Sequence, residues 1–450
     1  MRQGIQYLLV AVTAGYWAFG KAFGYIGYYP IYIGEIALGL TLVGLVWCAR
    51  FRLDAGWVRS GLGWLLAALG VGVLQAAFEV VFDNADPIET VRNLAVLYYA
   101  VYGVASYWAF RGVQGSSGRG LVHQYAASLI PPIVLAGVFF SALAVLTLGD
   151  ALPKFPGTTV TIMYYKATDA IVGVLLSLGL VVQTGRSAAL RLPLLGLAFL
   201  AAGRSRAALL GLSVWLLATL VSTRTVARRI LPYAAVIFAL LALGLEVSAG
   251  YRPLSLHQLT LNLRSLVSPL SESADVTAAQ NAQWRLDWWI KILDSAGSGS
   301  FVFEGLGWQT NLAREFGFGT GASSDVNALR HPHNALVGIL GRGGWLVAAM
   351  WLIGIGKVVH SIWRIAKGGS DGVGAWARAF ISTVPAIAAC ALTDVFLESP
   401  QNAIPMWIVV GMILGSHQRG AAERGSSIQT RRRPSMTLLR DRAGSRTLYE

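Results

Sequence analysis

Twelve apolar windows recur along this chain, parted by short connections, and no other feature limits its fold so strongly. They fall at about 4–20, 29–48, 62–81, 93–110, 126–148, 167–184, 190–203, 207–222, 230–248, 335–360, 374–393 and 403–416. Crossing about 30 Å of hydrocarbon takes roughly 20 residues of helix. In that medium a lone segment satisfies its own backbone only as a helix. A soluble alternative fails on composition. Charged residues make up 13% of the 450, about half the roughly 25% of an ordinary globular chain. Hydrophobic residues make up 55%, and the mean hydropathy is +0.57. Surface grows almost as fast as mass, so a soluble fold of this size has nowhere to hide so much apolar side chain. The expectation is an all-α polytopic membrane protein with about 12 transmembrane helices. The first window lacks a small-residue cleavage site and is followed by eleven more, so it reads as a retained span.

Orientation follows from Lys and Arg in the short connections. With the N-terminus inside, the inner connections collect 12 such residues and the outer ones six, which places both termini in the cytoplasm. Four regions result: spans over 1–249, an outer loop over 250–332, spans over 333–416, and a tail over 417–450. The tail carries eight Arg against three acidic residues and few apolar ones, a composition that predicts disorder. Its charge suits anionic lipid headgroups better than nucleic acid. Cys48 and Cys390 fall at opposite ends of their predicted helices, too far apart to pair.

The outer loop contains Gln283-Trp284-Arg285-Leu286-Asp287-Trp288-Trp289-Ile290-Lys291-Ile292-Leu293. Trp284, Trp288 and Ile292 recur every four residues, which predicts an amphipathic helix lying on the membrane surface. Where the loop re-enters the membrane stands His331-Pro332-His333-Asn334, followed after an apolar run by Gly341-Arg342-Gly343-Gly344. An imidazole near neutrality can take a proton from a hydroxyl. On the residues alone, His333 is either such a base or a helix-capping residue assisted by Asn334. A zinc site from His331 and His333 lacks a third ligand cluster, so no metal is expected.

Arg204 and Arg206 break the charge rule, sitting on the outer side between two apolar helices. Cations so placed are costly and mark either function or snorkelling to headgroups. With Arg285 they offer planar forks of donors for a diphosphate. For Arg285 a stack on Trp289 or a pair with Asp287 is the alternative. Glu35, Glu79, Asp169, Glu246 and Asp394 are the other polar residues in or near spans, each either lining a cavity or paired. Asp394 and Glu398 can orient a histidine or bind sugar hydroxyls.

Together these pieces resemble the O-antigen ligase/polymerase superfamily, and within it the ligases. The matching residues are Ser205-Arg206, Arg285 with Trp288 and Trp289, and Gly305-Leu306-Gly307-Trp308, similar to the family's Gly-x-Gly turn. The last is His333-Asn334 with nine residues before Gly344. Arg342 departs from the family pattern, where relatives often carry an acidic or neutral residue. The resemblance implies a GT-C type glycosyltransferase of the cell inner membrane that needs no metal or cofactor. It implies transfer of an O-antigen glycan from undecaprenyl diphosphate to a sugar hydroxyl of lipid A–core, with inversion, on the periplasmic face. It implies His333 as general base with Arg206 and Arg285 at the diphosphate, and Arg204, Asn334, His331, Trp289 and Asp394 at the substrate. The polymerase of the same superfamily, protein O-oligosaccharyltransferases and a lipid-linked glycan transporter are the competing readings. No internal repeat of the transporter kind is evident.

Overall fold

The computed structural model describes residues 2–28, 30–48, 55–111, 120–155, 160–162, 166–185, 188–222, 224–244, 246–249, 252–267, 276–297, 301–318, 331–368 and 372–431. It is an all-α membrane protein, with two short antiparallel hairpins, Gly27–Tyr28 with Ile31–Tyr32 and Val247–Ala249 with Arg252–Leu254. Among the described residues, five helices are long and apolar enough to cross a membrane: Leu62–Phe82, Gln124–Leu148, Ala167–Thr184, Ala335–Gly368 and Gly372–Thr393. Ile33–Trp47 and Arg206–Val221 are shorter apolar helices. The window expected over 93–110 is divided into Pro87–Asn93, Ala95–Tyr98 and Ala100–Phe110.

The 372–393 helix is the hub, packing against the 167–184, 206–222 and 335–368 helices. The Pro400–Arg431 helix lies along the 100–110 helix, and glycines set how closely. A Cβ at Gly411 would overlap the Gly103 carbonyl, and one at Gly415 the Tyr107 carbonyl. Small residues of this kind let two membrane helices approach backbone to backbone.

Three expectations change. The Trp288–Ile292 stripe does not face a membrane surface: both side chains are fully buried against Leu312, Ala313 and Val337. It is the other face, with Leu286, Ile290 and Leu293, that stays exposed. The loop folded back on its own helix because Leu312 offers both apolar surface and a carbonyl, which accepts the Trp288 indole N–H at 3.1 Å. The tail does not begin at 417 as disorder, since the last helix runs on to Arg431. Once a packed span has nucleated a helix, each further Ala, Glu, Gln or Arg extends it at little cost; residues 432–450 lie outside the described residues. The third change is a break inside the 335–368 helix at Gly344, where φ is 73° and ψ is −176°.

That break has a partner. The Gly305-Leu306-Gly307-Trp308 turn docks into it, with the Leu306 N–H donating to the Gly341 carbonyl at 2.8 Å and Gly307 to Arg342 at 3.1 Å. On its other side the turn is gripped by the Glu79 carboxylate, which accepts from the Trp308 and Gln309 amides at 2.8 Å each. Glu79 is therefore a structural carboxyl group that holds the turn by its backbone amides. A Cβ at Gly344 would lie 2.6 Å from the Phe303 carbonyl oxygen, on a backbone conformation that costs a side chain about 1–3 kcal/mol. Gly344→Ala should lower the thermal midpoint in detergent and the yield; an unchanged melting curve would show that the break is not a structural requirement.

Candidate functional site

At one end of the bundle the sequence has set a joint. Ser205 is extended, with φ −142° and ψ 131°, and so ends the Arg191–Arg204 helix. Its hydroxyl then accepts from the Ala208 amide at 3.5 Å and starts the next helix. A Ser suits this because its oxygen caps orphan amides. Arg204 and Arg206 flank the joint, both half-buried. The carboxamide of Asn262 donates to the Ala202 and Gly203 carbonyls at 3.3 and 3.0 Å, tying the loop helix Leu256–Val267 to the same place.

Arg285, on the Val276–Ala296 helix, lies over this end. Its Nη1 donates to the Thr393 carbonyl at 3.1 Å, and the guanidinium sits 5.6 Å from the Trp284 ring centre. Neither Trp289 nor Asp287 is its partner: the Trp289 indole donates to the Pro332 carbonyl at 2.6 Å, and Asp287 accepts from Gln283. The Nε of Arg285 is buried with no hydrogen-bond partner among the described residues. Burial disfavours its charge, the Asp394 carboxylate opposes that, and the nearby Arg206 guanidinium adds to it. Like charges near one another in a half-buried setting each disfavour the charged form of the other.

Asp394 is the centre of the arrangement. It follows Thr393, at the end of the 372–393 helix. Its carboxylate accepts from Thr168 at 2.6 Å and pairs with Lys166 at 3.0 Å, both at the start of the 167–184 helix. It also faces His333 Nδ1 at 3.3 Å. Burial alone would raise the Asp394 carboxyl, but His333, Lys166 and Thr168 together hold it well below the usual carboxylate range. An ionised carboxylate only accepts, so in the neutral ring it favours the hydrogen of His333 on Nδ1, with the lone pair on Nε2.

His333 is one of two described non-glycine residues with positive φ, at 56°. The residue after it explains how that is held. Asn334 Oδ1 accepts from the Leu336 and Val337 amides at 3.1 and 3.2 Å, capping the 335–368 helix. The Asn334 carbonyl serves the cap, and the Trp289 indole N–H serves the Pro332 carbonyl. The cap makes the expected alternatives compatible: Asn334 does the capping and frees the His333 ring. His331, expected at the substrate, faces Glu398 and Arg342.

Lys166 and Thr168 were not legible as site residues. They sit 228 and 226 residues before Asp394 in the chain, and nothing in their local sequence marks the contact. Asp169, in the same turn, is buried and accepts from Asn402 at 2.7 Å and Gln401 at 3.2 Å. Among the described residues no three His, Cys, Asp or Glu side chains gather as metal ligands would. Arg285, whose Nε makes no hydrogen bond among the described residues, and the His333 ring are both tied to the Thr393–Asp394 turn: a group able to bind an anion and a group able to accept a proton share one support. The chain matches no family model and no curated protein.

Proposed function

We propose that the chain is a glycosyltransferase of the GT-C type that resembles an O-antigen ligase. It moves a glycan from undecaprenyl diphosphate to a sugar hydroxyl of lipid A–core. One observation carries the reading. Arg285 is bonded to the residue preceding Asp394, and Asp394 orients His333, so anion binding and proton acceptance are built on a single turn.

The steps balance without an external energy source. The acceptor oxygen attacks the anomeric carbon from the side opposite the diphosphate. Its proton passes to Nε2 of His333, the bond from the anomeric carbon to the diphosphate oxygen breaks, and the released charge is met by Arg206 and Arg285. The configuration inverts. The protein has about 12 spans in the inner membrane, with both termini cytoplasmic and the site on the periplasmic face. The charge asymmetry of the connections supports this orientation.

The test is reconstitution of the purified protein with lipid-linked glycan and core lipid, product being followed on a gel. Absence of product from folded protein would sink the assignment. Orientation is checked separately with cysteines at Ser273 and Ser435, both outside the described residues. In intact cells an impermeant thiol reagent should label Ser273→Cys and spare Ser435→Cys; the opposite pattern would invert the membrane placement.

A further inference from the structure

A second set of ionisable groups lies behind the turn that carries His333. Glu398 stands in the connection between the last two helices, its side chain 3% exposed. Neither carboxylate oxygen accepts a hydrogen bond among the described residues. Oε2 faces His331 Nδ1 at 3.5 Å. The same nitrogen lies 3.4 Å from Nη1 of Arg342, a fully buried guanidinium whose Nε donates to the Thr310 carbonyl at 3.3 Å. Oε1 is 2.6 Å from where a Cβ on Gly338 would sit. Glu398 therefore reaches from one loop into the first turns of the 335–368 helix, through a gap that only glycine leaves open.

One nitrogen serves two neighbours of opposite kind. With a hydrogen, Nδ1 donates to an ionised Glu398 and has nothing to offer Arg342. Without one, it accepts from Arg342 or from a protonated Glu398, and has nothing to offer a carboxylate. Between the ionised and the protonated Glu398 the two arrangements differ by one proton on the carboxyl, the ring hydrogen moving between Nδ1 and Nε2. We propose that Glu398, His331 and Arg342 form a one-proton latch that sets the 331–334 turn, which makes Glu398 a positioning residue for His333.

The mechanics are short. Pro332 is held by Trp289 and Asn334 by the helix it caps, so the His331 ring is the remaining handle on the turn. The groups facing Glu398 are His331 from the turn, Arg342 from the 335–368 helix and Asp394 from its own connection. Burial pushes the Glu398 carboxyl up, Arg342 opposes and Asp394 adds to the rise, bringing it from 4.5 to about 7. Both arrangements are then accessible near neutrality. A carboxyl raised on folding stabilises the fold below its ordinary range, and that contribution is lost as pH climbs from 4.5 towards about 7.

The latch rests on the transferase reading only for its effect on His333, so its test is spectroscopic. Wild type, Glu398→Gln and Arg342→Gln would be reconstituted in lipid nanodiscs and titrated by infrared difference spectroscopy. In wild type a buried protonated-carboxyl band should grow as pH falls through about 7. It should vanish in Glu398→Gln and move to higher pH in Arg342→Gln, where the opposing charge is gone. The melting point of Glu398→Gln relative to wild type should be higher at about pH 8 than at about pH 5. Amide exchange over 331–338, corrected for its chemical pH dependence, should show a step in wild type that Glu398→Gln lacks. A band that is absent in wild type, survives in Glu398→Gln or stays in place in Arg342→Gln overturns the latch, as does an exchange step that persists in Glu398→Gln. Those failures leave the transferase reading standing, whereas a normal titration in protein that makes no product removes the transferase and keeps the latch.

Discussion

Replacing His333 with alanine should abolish glycan transfer and leave donor binding intact. A sugar hydroxyl is too weakly acidic to ionise unaided near neutral pH, and general-base help is worth about 10²–10⁴-fold. The base must also stand apart from the leaving group, since inversion requires attack from the opposite side. His333 comes from the start of the 335–368 helix, while the arginines come from the 206–222 and 276–296 helices. Asp394→Asn should lose less, because the ring keeps its place in the turn but not its fixed tautomer. His331→Ala should be milder still. Transfer and donor binding are measured on all three variants together. Retained transfer in His333→Ala removes the base, and loss of donor binding alone makes His333 a diphosphate ligand instead.

Arg206→Ala and Arg285→Ala should each cost about 10²–10³-fold in turnover, the usual loss when one donor to a developing anion is removed. Lysine at either position should rescue only in part, since it keeps the charge and loses the fork. The structure adds a second expectation for Arg285. Its guanidinium is partly buried, has an unspent Nε and faces another cation. Removing it should therefore raise the thermal midpoint of the ligand-free protein while activity falls. Full activity of either alanine variant at normal expression would return these residues to headgroup snorkelling. Lower activity with lower stability in Arg285→Ala would mean that the residue holds the loop rather than an anion.

What the sequence showed and what it hid divide along physical lines. Helix positions were legible because apolar residues in a membrane chain have one destination. The nine-residue interval from Asn334 to Gly344 was also legible, and in the fold it spans the cap of one helix and its break. Burial of Trp288 was not, because a four-residue stripe is the same whether it faces lipid or protein; only the arrival of Leu312 and Val337 decides. Lys166 and Thr168 were hidden for a different reason. Their role depends on one carboxylate more than two hundred residues away, and helix periodicity carries no information about which ends meet. Arg342 stood out as a departure from the pattern of the family that the sequence resembles. Its neighbours His331 and Glu398 give that departure a physical setting.

The distances along the chain have a consequence for biosynthesis. Glu79 waits for residues 308 and 309, Asp169 for residues 401 and 402, and Lys166 for residue 394. A ribosome that has delivered three quarters of the polypeptide to the membrane has made most of the helices, but neither residue 394 nor residues 401 and 402, so the contacts of Lys166 and Asp169 are still open. Each of these contacts closes a very long loop, so it forms late and only when its partner arrives. Under the proposed function, a nascent or truncated chain would be inert towards lipid-linked sugar, and a partly made copy could not spend a donor on water. On that reading, completion of the last helix is the event that switches the protein on.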